Sequence, residues 1–198
     1  MQPVVSLDWP AEWTAELSAQ ALGLFRAVVA LGGAIGWMSG PTPAAAEAWL
    51  TSAFAAIARG DGAMCTGWRG GQLVALGMWR RDEAGYMPHT AELVKIMVHP
   101  QARGLRLGRL VTEALVASAA AAGIETLHLG VRGNNQLAIQ SYEEAGFTEW
   151  GRLPNVIEVG DLRFDDVRMY RKLGQPPQVR SHGSHPSGPG SSPRRPAT

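Results

Sequence analysis

Residues 1–174 of this 198-residue chain predict an α/β domain, with a central mixed and twisted sheet of about six to seven strands flanked by helices. Three observations carry that expectation. Two amphipathic helical runs open the chain, two apolar strand-like runs joined by a glycine pair follow, and strands alternate with helices from residue 91 onward. A strand–helix–strand crossover favours a parallel pair and glycine hairpins favour antiparallel ones, so the sheet should be mixed, with helices on both faces.

Leu17, Ala21, Leu24, Val28 and Leu31 recur at helical spacing, and Gly32-Gly33 stops the run. A second helix is expected over residues 43–59, with Ala46, Leu50, Ala53, Phe54 and Ile57 inward and Gly60 closing it. Strands follow at 63–68 and 72–80, joined across Gly70-Gly71, and another at 91–98 ends at Pro100. An Ala-rich helix over 107–122 turns Leu107, Leu110, Val111, Ala114, Leu115 and Ala122 to one side. The strand 125–131 alternates Leu127, Leu129 and Val131 with polar or small neighbours. A short helix over 135–145 precedes strands at 147–159 and 167–173, split by Gly160-Asp161. Residues 175–198 hold six prolines, five serines and three glycines, a composition that reads as a disordered tail.

The bulk numbers bound the function. At 45% hydrophobic the chain can build one sizeable core, with little left for a second domain. Net charge is +1, but the tail carries Arg180, Arg194 and Arg195 and no acid, which leaves the first 174 residues at −2. Neither nucleic acid nor an anionic membrane is an expected partner. Cys65 is the single cysteine, in an apolar strand-like run, and reads as a small buried side chain in a reducing, cytoplasmic setting. Five scattered histidines without ligand spacing indicate no metal site.

The informative stretch is AELVKIMVHPQARGLRLGRL, residues 91–110. A strand stops at Pro100, a turn passes Arg103-Gly104, and a helix begins within a few residues. The N–H groups of such a turn and of the first helical turn lack internal partners and converge where the helix dipole favours an anion. A pyrophosphate would fit there, with Arg103, Arg106 and Arg109 adding charge.

This segment resembles the acetyl-CoA-binding signature of the GNAT superfamily, in which a strand ending Val-x-Pro leads into Arg-Gly-x-Gly-x-Gly or Ala. Arg106 stands where that pattern has its middle glycine. Residues 131–147, VRGNNQLAIQSYEEAGF, are similar to the family's Val-x-x-x-Asn-x-x-Ala-x-x-x-Tyr-x-x-x-Gly-Phe. Residues 151–154 with 169–174 show a looser likeness to the end of tabtoxin resistance acetyltransferases.

The resemblance implies a GNAT fold and acetyl-CoA as co-substrate, held by Ile96, Met97 and Val98 along the pantetheine arm. Arg103, Gly104, Leu105, Arg106, Leu107, Gly108 and Arg109 would hold its phosphates, and Asn135 and Tyr142 would complete the site. Direct acetyl transfer to an amine needs a proton taken from the ammonium, a polarised carbonyl and a proton for the departing thiolate. Tyr142 falls to the last role and Glu92 to the base, since Gly130 leaves a base position of the family empty; His128, on the face of Gly130, is the second candidate. Glu92 is expected to share a strand face with Val94, Ile96 and Val98.

The acceptor is expected among Trp37, Met38, Tyr86, Asn155, Ile157 and Glu158, with Trp9 and Trp13 near that side. A small-molecule primary amine is the leading acceptor, in a detoxifying or resistance activity. A protein N-terminus or lysine, and a non-catalytic acyl-CoA-binding module, are the alternatives, and a homodimer is compatible with any of them.

Overall fold

The computed structural model describes residues 5–33, 35–37, 39–81 and 85–174. The expected tail and Met38 lie outside the described residues. Seven strands form one sheet in the order β1-β2-β3-β4-β5-β7-β6. They are β1 (Ser6–Asp8), β2 (Gly62–Arg69), β3 (Gln72–Arg81), β4 (Thr90–Val98), β5 (Thr126–Arg132), β6 (Thr148–Val159) and β7 (Leu162–Lys172). Only β4 and β5 pair in parallel; the other neighbours are antiparallel. The helices are α1 (Ala15–Ala30), α2 (Pro43–Ala58), α3 (Leu107–Ala121) and α4 (Gln136–Glu144).

Local chemistry sets the helix limits. Thr14 and Thr42 cap α1 and α2, accepting from the N–H groups of Leu17 and Ala45 at 3.1 and 3.2 Å, and Pro43 takes the first turn of α2, where a missing N–H costs nothing. α1 buries Leu17, Ala21, Leu24, Phe25 and Val28, and α2 buries Ala46, Leu50, Ala53, Phe54 and Ala56, against Met64, Leu76, Met78 and Met97 of the sheet. On the opposite face α3 seats Leu107, Val111, Leu115 and Ala119 on Cys65, Ala75, Leu93, Leu127 and Val167, and Ile139 of α4 joins them. Cys65 is fully buried, and burial pushes its thiol up to about 11, which leaves it a packing residue. Leu110, expected inward, is exposed.

Two features escaped the sequence. β1 is three residues long, too short for an alternation to show. β7 starts five residues before its expected beginning, because Arg163, Asp165 and Asp166 mask the pattern. That early part of β7 pairs with β6 alone, from Ile157↔Phe164 to Val159↔Leu162, beyond the end of β5 at Arg132↔Asp166. A two-stranded ribbon with no core beneath it exerts no apolar selection on its residues.

Candidate active site

The parallel pairing of β4 and β5 lasts three residues, Thr90↔Thr126, Ala91↔Leu127 and Glu92↔His128, after which the strands part. Both run on, β4 to Val98 and β5 to Arg132, so their facing backbone edges stay open beyond Glu92 and His128. α3 begins after the end of β4 and α4 after the end of β5. The site is therefore built at the carboxyl ends of the two parallel strands, where open α/β sheets place their ligands.

A bulge organises β4. Leu76 pairs with Met97 and Met78 with Val94, so Lys95 and Ile96 together face Gly77, and Lys95 adopts φ +56°. The extra residue reverses the alternation. Glu92 and Val94 point to the α1–α2 face, and Met97 packs there too, whereas Ile96 and Val98 pack on the α3 side. The expectation that Glu92 shares a face with Ile96 and Val98 is thereby corrected: the register shift turns them over. The His99 N–H donates to the Val74 carbonyl at 2.7 Å, which by antiparallel alternation commits Met97 to β3 and turns the backbone of Ile96 and Val98 toward the open edge.

The strand-to-helix turn matches its sequence reading closely. A 3-10 turn, Pro100–Ala102, is capped by His99 Nδ1, which accepts from the Gln101 N–H at 3.3 Å. Gly104 has φ +82° and Arg106 φ +54°, so Arg106 adopts a left-handed backbone conformation that favours glycine, with its side chain exposed. Arg106 occupies the N-cap position of α3 yet makes no side-chain cap bond, and no acid sits in the first turn. The N–H groups from Gly104 to Arg109 find no acceptor among the described residues. An array of that kind fits a phosphate group. Arg103 and Arg106 are exposed beside it, whereas the Arg109 guanidinium is turned aside to Glu113 at 2.7 Å and Glu144 at 3.5 Å, leaving its N–H to face the turn.

Asn135 caps α4, its side chain accepting from the Ala138 N–H at 3.4 Å. Tyr142, one helical stretch later, is half-buried with its ring 6.0 Å from that of Phe147, in an edge-on arrangement. Burial pushes its hydroxyl up to about 12, so it holds its proton throughout the physiological range.

On the α1–α2 face, Glu92 and His128 stand side by side where the strands part, both partly exposed. Beyond them along β5 comes Gly130, whose absent side chain leaves room for Arg168 of β7: a Cβ there would stand 3.2 Å from a guanidinium nitrogen. Asp166 grips Arg168 at 2.8 and 2.7 Å. Lys95 projects to the same face, 3.9 Å from the centre of the Trp37 ring, and its ammonium donates to the Ile35 carbonyl. Burial, with the Arg80 charge as a lesser cause, pushes the Lys95 amine down to about 8.

Of the residues expected to meet the acceptor, Trp37 and Ile157 lie on this face, Ile157 pairing with Phe164. Tyr86 is 73% exposed and precedes the start of β4, the end opposite the splay. Trp9 and Trp13 precede α1, whereas Trp37 follows it, so roughly 24 Å of helix separates them. Asn155 and Glu158 are exposed on β6, tied to Asp165 and Arg163. Sequence reasoning passed over Lys95, Arg132, Asp166 and Arg168; a lone lysine inside the apolar run 93–98 was the one available signal. Among the described residues no helix is long and apolar enough to cross a membrane, and no group of three metal-ligating side chains converges.

The sequence model of the Acetyltransferase (GNAT) family matches residues 35–147, more than half of the chain. A mycothiol acetyltransferase of Sanguibacter keddieii is 37% identical over 67 residues, which cover 34% of this chain and 21% of that protein. A Bacillus subtilis protein provisionally named a phosphinothricin acetyltransferase is 32% identical over 84 residues, 42% of this chain and 51% of that one. The chain thus spans between a fifth and a half of the length of these curated relatives. A solved structure from Salmonella typhimurium, provisionally named an acetyltransferase and holding its cofactor acetyl-CoA, overlays with a TM-score of 0.70 at 19% identity. The match covers 86% of this chain and 95% of that one, and at such identity it speaks for the fold.

Proposed function

Because the chain belongs to the GNAT acetyltransferase family, we propose that it moves an acetyl group from acetyl-CoA directly to the primary amine of a small molecule. The uncapped start of α3 and the turn before it carry this reading: among the described residues the six N–H groups from Gly104 to Arg109 find no acceptor, and the exposed Arg103 and Arg106 find no acid. Acetyl-CoA would supply the activated thioester. The turn from Arg103 to Arg109 would hold its phosphates through N–H groups and charge, and Ile96 and Val98 would pair with its arm as an added strand does. An N–H on that open edge polarises the carbonyl.

The acceptor must approach from the α1–α2 face, since α3 presents its N-terminus on the other. Glu92 and His128 both stand on that face at the root of the splay, and Glu92 takes the ammonium proton directly or through water. Tyr142, held neutral by burial, gives its proton to the departing sulfur. Trp37, with Lys95 and the Arg168–Asp166 pair, lines the acceptor side with aromatic and charged groups suited to a compact polar molecule. A detoxifying or resistance role follows from such an acceptor.

Two measurements test this. Calorimetric titration with acetyl-CoA should give micromolar binding, and its absence would sink the reading. In acetylation assays across primary amines, Tyr142→Phe should lower kcat about tenfold or more with acetyl-CoA affinity retained. Since Tyr142 titrates near 12, the wild-type profile should show no loss of acid catalysis between pH 7 and pH 10.

A further inference from the structure

Lys95 and Arg132 stand on opposite sides of the splay, three residues past Glu92 on β4 and four past His128 on β5. Both reach the same segment, the connection between α1 and α2. The Lys95 ammonium donates to the Ile35 carbonyl and lies over the Trp37 ring at 3.9 Å, with Trp49 of α2 at 5.8 Å. Arg132 Nη2 donates to the Gly32 carbonyl at 2.6 Å, a contact between residues one hundred apart. Its Nε donates to Asn134 at 2.7 Å, and its guanidinium sits 5.0 Å above the Phe164 ring of β7.

Gly32 and Ile35 receive these two contacts from opposite sides of the splay. Gly36, at φ +81°, adds a close fit: a Cβ there would stand 2.9 Å from the Lys95 nitrogen. Lys95 itself holds φ +56° in the bulge, a conformation that a side chain disfavours.

We propose that Lys95 and Arg132 are specificity-determining residues that fasten Gly32, Ile35 and Trp37 across the acceptor side of the splay, so that the amine must arrive on a slender group. The proposal rests on the acceptor face assigned above. Charged donors on carbonyls and a cation on an aromatic ring hold the segment with several contacts, none of which involves the reacting groups. A bulky or polymeric acceptor meets the bridge before its amine reaches Glu92.

Lys95→Met and Arg132→Met keep the aliphatic stems and remove the charges. Each variant, and the full-length wild type, is subjected to limited proteolysis and to competing acetylation of small primary amines against a short peptide with a free N-terminus. Cleavage within residues 32–37 should quicken at least tenfold, and the peptide-to-small-amine ratio of kcat/KM should rise at least fivefold. Cleavage unchanged in both variants would show that the clamps do not hold the segment. Cleavage quickened at a constant ratio, or no acetylation of either acceptor by the wild type, would equally overturn the proposal. Wild-type titration with acetyl-CoA separates the two readings, because loss of cofactor binding defeats the proposed function while the proteolysis still reports on the clamps.

Discussion

Four α-helices begin among the described residues, and three begin alike. Thr14, Thr42 and Asn135 each turn a side-chain oxygen onto the N–H three residues ahead. α3 begins on Arg106, a cation at the positive end of a helix dipole, in a left-handed conformation and without a cap bond. Judged as a folding element, that start is wrong in charge, backbone and hydrogen bonding together. Stability is conceded in one place, and the N–H groups left over are those an anionic ligand would use.

The sharpest way to break this contrast is to give α3 an ordinary cap. Arg106→Asp places an acceptor and a negative charge at the N-terminus, where they satisfy the helix and repel phosphate. Calorimetry should show acetyl-CoA affinity falling about a hundredfold, equal to roughly 2.7 kcal/mol, while thermal stability holds or rises. Equal binding would mean that the α3 terminus is not the phosphate site.

Asn135 tests whether one residue can serve both purposes. Asn135→Ser preserves the cap, so thermal melting should stay near the wild type while acetyl-CoA affinity falls about fivefold, roughly 1 kcal/mol. If melting and affinity both stay put, Asn135 is a cap alone.

Thr42→Ala is the control from the ordinary class. It should cost about 1 kcal/mol, a drop of roughly 2–4 °C in melting temperature, with acetyl-CoA affinity unchanged. The smallest effect belongs to Arg106→Gly. Relief of the left-handed backbone is largely offset by the added freedom of the unfolded chain, for a net gain of about 0.5 kcal/mol. Affinity should fall a few-fold as the charge goes.

Much of this was legible in the residues. The helical spacing of Leu17 to Val28, the glycine pair at 70–71 and the alternation of Leu127, Leu129 and Val131 fixed elements within a residue or two, because each is a local consequence of which face meets the core. The turn from Arg103 to Gly108 was legible for the same reason, since its free N–H groups follow from where a strand stops and a helix starts. β1 was too short to signal itself, and the early part of β7 lacked a core to pattern it.

The proposed acceptor face was not legible, for a different reason. Lys95 and Ile35 are sixty residues apart, Arg132 and Gly32 one hundred, and no periodicity connects such pairs. The bulge that turns Ile96 away from Glu92 depends on the register against β3, which pairing with a neighbour sets. Arg168 over Gly130 depends on β7 lying beside β5 rather than at the edge. By itself, then, the sequence determined the elements and the turn with its uncapped N–H groups, where nearest-neighbour sterics and hydrogen bonding decide. Only the tertiary structure decided which side chains face one another across the splay, because strand order and register are fixed by the packing of the whole sheet.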